Sequence, residues 1–90
     1  MSDATLKPPR RNPGAAFRVM DGQGMIAVPG RSEIHLLNEV GTRIYELVDG
    51  ARDEEEIARI IVEEFDVTPE AARAHVQEFL EDLFSKGALA

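Results

Sequence analysis

Few side chains in this sequence are equipped to do chemistry: two histidines, His35 and His75, the acidic run Asp53-Glu54-Glu55-Glu56, and no cysteine at all. Two imidazoles could ligate a metal, but a zinc site needs further donors at ligand spacing, and neither histidine has one in a recognisable motif. The acidic run could hold a hard cation or start a helix. A helix start accounts for all four residues, with Asp53 as N-cap and three glutamates in the first turn, where the helix dipole favours negative charge. Without cysteine, disulfides, thiolate ligands and a cysteine nucleophile drop out together. The chain also has no Gly-rich phosphate loop, and no histidine placed in a motif with a nucleophile and an orienting acid. The expectation is a non-enzyme with no catalytic residue, no metal and no cofactor.

The elements that carry these residues are short. Ninety residues with 43% hydrophobic and 30% charged content suit one domain with a small core, and a homodimer is carried as an expected supplement to that core. The net charge of −7 is uneven: from Asn38 onward fourteen acids face five bases. An acidic body of this kind repels phosphate backbones, so no nucleic-acid partner is expected. The first residues lack the apolar core of a signal peptide, and no run is long enough to cross a bilayer. A cytoplasmic protein with no membrane partner is expected.

Residues 1–14 contain Pro8, Pro9 and Pro13 with three cations and little apolar surface, and are expected to form a disordered N-terminal arm ahead of a domain spanning 15–90. Ala16 to Met20 alternates, with Phe17 and Val19 sharing a face, and Asp21-Gly22 marks a tight turn. Gly24 to Val28 gives a second strand, with Ile26 and Val28 directed inward, and Pro29-Gly30 closes it. Ser32 to Leu37 gives a third, with Ile34 and Leu36 on one face and Glu33 and His35 on the other. Links this short imply an antiparallel sheet.

At Asn38 the period changes from two to helical without an intervening loop, and Asn38 is a good N-cap. A first helix from Glu39 to Val48 buries Val40, Ile44, Leu47 and Val48, with Tyr45 at the stripe's edge and its hydroxyl in water. A second helix follows Asp53 and buries Ile57, Ile60, Ile61 and Phe65. Thr68-Pro69-Glu70 then opens a third, since threonine caps and proline suits the first helical position. Its stripe is Ala72, Val76, Phe79, Leu80 and Leu83, with Phe84 and His75 on opposite flanks. The expected fold is α+β, a three-stranded antiparallel sheet followed by three helices in a winged helix-turn-helix-like order.

The stretch His35-Leu36-Leu37-Asn38-Glu39-Val40-Gly41, with Ile44-Tyr45-Glu46-Leu47, Asp49-Gly50, Glu56-Ile57, Phe79-Leu80, Leu83 and Gly87, resembles the PqqD family. That family is named for pyrroloquinoline quinone (PQQ) biosynthesis and is the founder of the peptide-recognition domains of enzymes that modify ribosomally made peptides. The resemblance spans roughly Phe17 to Leu89 and departs at Tyr45, where a tryptophan is common. It implies a non-catalytic chaperone that binds the leader of a precursor peptide and hands it to a radical S-adenosylmethionine (radical SAM) protein or another peptide-modifying enzyme. Carried over, the peptide adds as a strand beside Ser32, Glu33, Ile34, His35, Leu36 and Leu37. The facing helix supplies His75, Val76, Phe79, Leu80 and Leu83, of which all but His75 are more readily read as core, since a helix must bury one stripe.

Strand addition is physically sound, because an edge strand carries unpaired N–H and C=O groups. The alternative is a winged-helix DNA-binding regulator. Its recognition helix would present Glu70, Glu78, Glu81 and Asp82 against Arg73 and Lys86, the wrong sign for a groove reader.

Overall fold

The structure, a computed structural model, describes residues 8–90. Three strands come first, β1 (Ala16–Met20), β2 (Gln23–Ala27) and β3 (Ile34–Leu37), and three helices follow, α1 (Glu39–Leu47), α2 (Glu54–Glu64) and α3 (Pro69–Ser85). The strands form one antiparallel sheet in the order β1-β2-β3. Asp21 and Gly22 both take positive φ, 54° and 79°, so the two-residue link between β1 and β2 has the backbone hand that suits a hairpin. Gly30 has φ 80° behind Pro29, and the Arg31 N–H donates to the Val28 carbonyl at 3.1 Å, closing the turn that leads toward β3.

Register assigns the two faces of the sheet. Phe17 lies opposite Ile26 and Ile26 opposite His35, while Gly24 sits between Val19 and Leu37. Ile26 is fully buried, so this set faces the helices. Ile34 and Leu36 therefore point to the outer face, each 62% exposed. Alternation alone paired these residues correctly but did not say which pair turns inward. The buried Ile26 decides it, because residues opposite one another share a face.

Each helix begins at the cap expected from its sequence. Asn38 accepts the Gly41 N–H at 2.7 Å, and Thr68 accepts that of Ala71 at 3.2 Å behind Pro69. Asp53 and Glu56 form a capping box, the Asp53 carboxylate accepting the Glu56 N–H at 2.8 Å and the Glu56 carboxylate accepting the Asp53 N–H at 3.2 Å. Their orphan donors thus receive acceptors from within the chain. The helices bury Ile44, Ile57, Ile61, Val76, Leu80 and Leu83 against Ile26, Val28 and Leu37 of the sheet side. Full burial of such a side chain contributes about 1.5–3 kcal/mol. Sheet and α1 are also joined by a buried polar bond, since Thr42 Oγ1 accepts the Gly24 N–H at 2.7 Å. A Cβ at Gly24 would lie 2.9 Å from that oxygen, so β2 approaches α1 this closely only with glycine there.

Three expectations are corrected. The third strand starts at Ile34, where pairing with Ala27 begins, so Ser32 and Glu33 precede it. Tyr45 is fully buried instead of edge-exposed, and its hydroxyl donates to the Ala88 carbonyl at 3.0 Å. A C-terminal segment folded back over α1 supplies an acceptor that helical spacing could not foresee.

The expected arm is the third. Its residues 1–7 lie outside the described residues, but residues 8–14 clasp the link after α1 and the far end of the chain. The Gly50 N–H donates to the Pro9 carbonyl at 2.9 Å, Asn12 N–H to the Ala88 carbonyl at 3.0 Å, and Ala90 N–H to the Arg10 carbonyl at 2.9 Å. The Arg11 guanidinium sits 5.9 Å from the Phe17 ring centroid and 5.6 Å from that of Tyr45. Backbone bonds and cation–π contact thus order a stretch whose apolar surface is too small to do so.

Candidate functional site

Among the described residues β3 has a strand partner on one side only. Its backbone ladder runs to β2, and Arg10 and Arg11 of the N-terminal segment pair elsewhere, with Asp49 and Leu89. In an antiparallel pair alternate residues of an edge strand direct their N–H and C=O groups away from the partner, and these groups can take up another extended chain. Ile34-His35-Leu36-Leu37 carries no charge and no proline, the usual guards of an edge.

Glycine positions locate α3 against this region. A Cβ on Gly41, at the start of α1, would stand 2.9 Å from Phe79 Cε1. A Cβ on Gly87 would stand 3.3 Å from Val28 Cγ1 and 3.9 Å from an Arg31 guanidinium nitrogen. The C-terminal half of α3 therefore runs from the residues just after β3 back to the turn just before it. Beyond Asn38 a recess of about 420 Å³ opens, with Val40, Ile44, Ile61 and Phe79 among its walls and Glu78 and Asp82 at its rim.

The expected site residues divide. Val76, Leu80 and Leu83 are 1%, 5% and 1% exposed and pack in the core. Core packing takes them because α3 must bury one stripe, and theirs is the face turned to the other elements. His75 and Phe79, on the neighbouring flank, line the recess. His35 faces inward under β3, and its Nε2 is buried with no hydrogen-bond partner in the described structure. Residues the sequence reading did not include are Val40, Ile44, Glu78 and Asp82. Glycine at 41 was the available signal, since it lets an aromatic ring of α3 come close to α1.

Among the described residues no group of three or more His, Cys, Asp or Glu side chains is placed to hold a metal ion. A larger recess, about 600 Å³, lies between the chain's two end segments near Arg10, Arg11 and Tyr45, away from the β3 edge. Burial raises the Tyr45 pKa above its ordinary value, with the Arg11 charge opposing. The Glu64 carboxylate is held below its ordinary value by hydrogen bonds from Arg43, at 2.7 and 2.9 Å. Asp49 is lowered as well, first by the backbone N–H groups of Ala51 and Arg52. These carboxylates brace loops and helix packing. No helix among the described residues is long and apolar enough to cross a membrane.

Several solved structures share the fold. TbiB1 in complex with the TbiA(beta) leader peptide superposes with a TM-score of 0.81 at 22% identity, over 89% of this chain and 93% of that one. A lasso peptide synthetase B1 complexed with its leader peptide gives 0.78 at 19% identity, over 92% and 98%. The solution structure of the PqqD truncation of Methylobacterium extorquens PqqCD, a functional and stand-alone recognition element for ribosomally synthesised and post-translationally modified peptides, gives 0.75 at 25% identity, over 91% and 87%. No curated protein matches the sequence. The model of the family described as Coenzyme PQQ synthesis protein D matches residues 23–89, from the first residue of β2 to the buried Leu89, and the chain belongs to the PqqD family.

Proposed function

We propose that this chain is a non-catalytic recognition element that binds the leader of a ribosomally made precursor peptide and presents it to a modifying enzyme. The leader adds as a fourth strand along Ile34–Leu37, and its inward side chains meet the His75 and Phe79 flank of α3. The observation that carries this reading is the open, uncharged edge of β3 running beside α3 in a member of the PqqD family. Main-chain hydrogen bonds along that edge supply affinity, and side-chain pockets supply selectivity. The site needs no metal or cofactor, because recognition of this kind breaks no bond. In a quinone pathway the enzyme served would be a radical SAM protein, and in other pathways a different peptide-modifying enzyme. The acidic third helix speaks against nucleic acid, as Arg73 and Lys86 already face Glu55 and Asp82.

The test is a titration of the ¹⁵N-labelled chain with the synthetic leader of the precursor peptide encoded beside its gene. Amide shifts should concentrate at Ile34–Leu37 and around His75 and Phe79, with slowed hydrogen exchange along β3. Shifts confined to α2, or turnover of the peptide by the purified chain alone, would overturn the reading.

A further inference from the structure

We infer that the recess beyond the end of β3 selects a residue pair in the bound peptide: an apolar side chain with a lysine or arginine two positions from it. The inference rests on the strand-addition reading above. β3 ends at Leu37, and Asn38, the next residue, already lines the recess. A peptide paired with β3 therefore passes over this opening one residue after its last ladder bond, because a strand advances about 3.3 Å per residue. The floor is built from Val40, Ile44, Ile61 and Phe79, and about 420 Å³ is ample for a leucine or phenylalanine side chain. Ile44 and Ile61 are each 1% exposed and belong to the core, so the apolar surface a ligand meets comes from the half-buried Val40 and Phe79.

The rim carries the opposite message. Glu78 is exposed and has no ion pair among the described residues, whereas Asp82 is bridged to Lys86 at 2.8 Å. Asn38 is already committed as the cap of α1. An apolar hole bordered by an unpaired carboxylate favours a ligand that is apolar at its tip and cationic beside it. Residues two apart in a strand share a face, so a long basic side chain two positions away reaches the rim while the apolar one fills the hole. Its surface position limits the charge effect to roughly two- to fivefold in affinity, and added salt should weaken it.

The experiment is selection of a random twelve-residue mRNA-display library on three immobilised proteins: the wild-type chain, Glu78→Lys, and the double variant Ile34→Lys with Leu36→Lys. Wild type should enrich peptides that pair an apolar residue with a nearby lysine or arginine. Glu78→Lys, a substitution at an exposed helix position, should shift that preference toward aspartate or glutamate. Enriched peptides should also lose their two- to fivefold preference at high salt. Peptides that bind wild type and fail on the β3 variant, yet show no basic preference or no response to Glu78→Lys, would overturn this inference and leave strand addition intact. No enrichment on wild type, or enrichment indifferent to the β3 variant, would overturn both.

Discussion

The sheet has two edges, and the chain treats them differently. β1 carries Arg18 at its midpoint, facing outward by register, and Arg11 stacks over the inward Phe17 of the same strand. β3 has neither charge nor proline across its four residues, and it exposes Ile34 and Leu36. Guarding charges discourage a second chain from pairing at an edge, so their presence on one side and absence on the other marks β3 as the receptive rim. The nearby helix strengthens the contrast, because α3 gives a chain at β3 a wall and a recess to meet. On the proposed function, the two edges are thus one binding site and one guarded border.

Four perturbations test this contrast, in descending order of effect. Leu83→Ala empties a core position on α3 and should cost about 2–5 kcal/mol in a urea melt, through the fold and not through either edge. If it instead weakened leader binding with stability unchanged, the division of α3 into a core face and a groove flank would fail. Gly24→Ala places a methyl 2.9 Å from Thr42 Oγ1 and 3.0 Å from Phe17 Cε1, in the strand shared by both edges, and should cost about 1–3 kcal/mol. Next comes the guard experiment itself. Ile34→Lys with Leu36→Lys gives β3 the charges that β1 has, and should lower leader affinity about tenfold, or ~1.4 kcal/mol, with stability changed by only about 0.5 kcal/mol per site. Met20→Lys on β1 should leave affinity unchanged, and equal losses at the two edges would abolish the distinction.

The smallest effect is a dependence on pH. Glu64 and Asp49 have folded-state pKa values lowered from 4.5 and 3.8, so their contribution is whole above those values and is lost as pH falls through the lowered ones. Both lie at the surface, so urea midpoints should drop only modestly on acidification, and Glu64→Gln should flatten part of that drop. Tyr45 gives the opposite sign at the other end of the scale. Its pKa is raised from 10.0, so its contribution is present below that value and is lost as pH rises toward the raised one. Tyr45→Phe should remove this alkaline weakening.

How far a residue's environment is local sets how much of it the sequence reveals. The start of every helix was legible, since Asn38, Asp53 and Thr68 bond N–H groups within three residues of themselves. The tight turns were legible for the same reason, at Asp21-Gly22 and Pro29-Gly30, and with them the order of strands and helices. The third strand was found, together with the correct pairing of its side chains by face.

Which face turned inward belonged to the tertiary structure, because it follows from register with a buried Ile26 in another strand. So did the separation of Val76, Leu80 and Leu83 from His75 and Phe79, since one stripe of α3 meets the core and the adjacent flank meets an opening beside α1. Tyr45 and residues 8–14 escape a local reading because their partners, Ala88 and Ala90 among them, lie at the far end of the chain. Periodicity and capping report bonds between near neighbours, whereas an edge left open is decided by where every other strand and segment has gone.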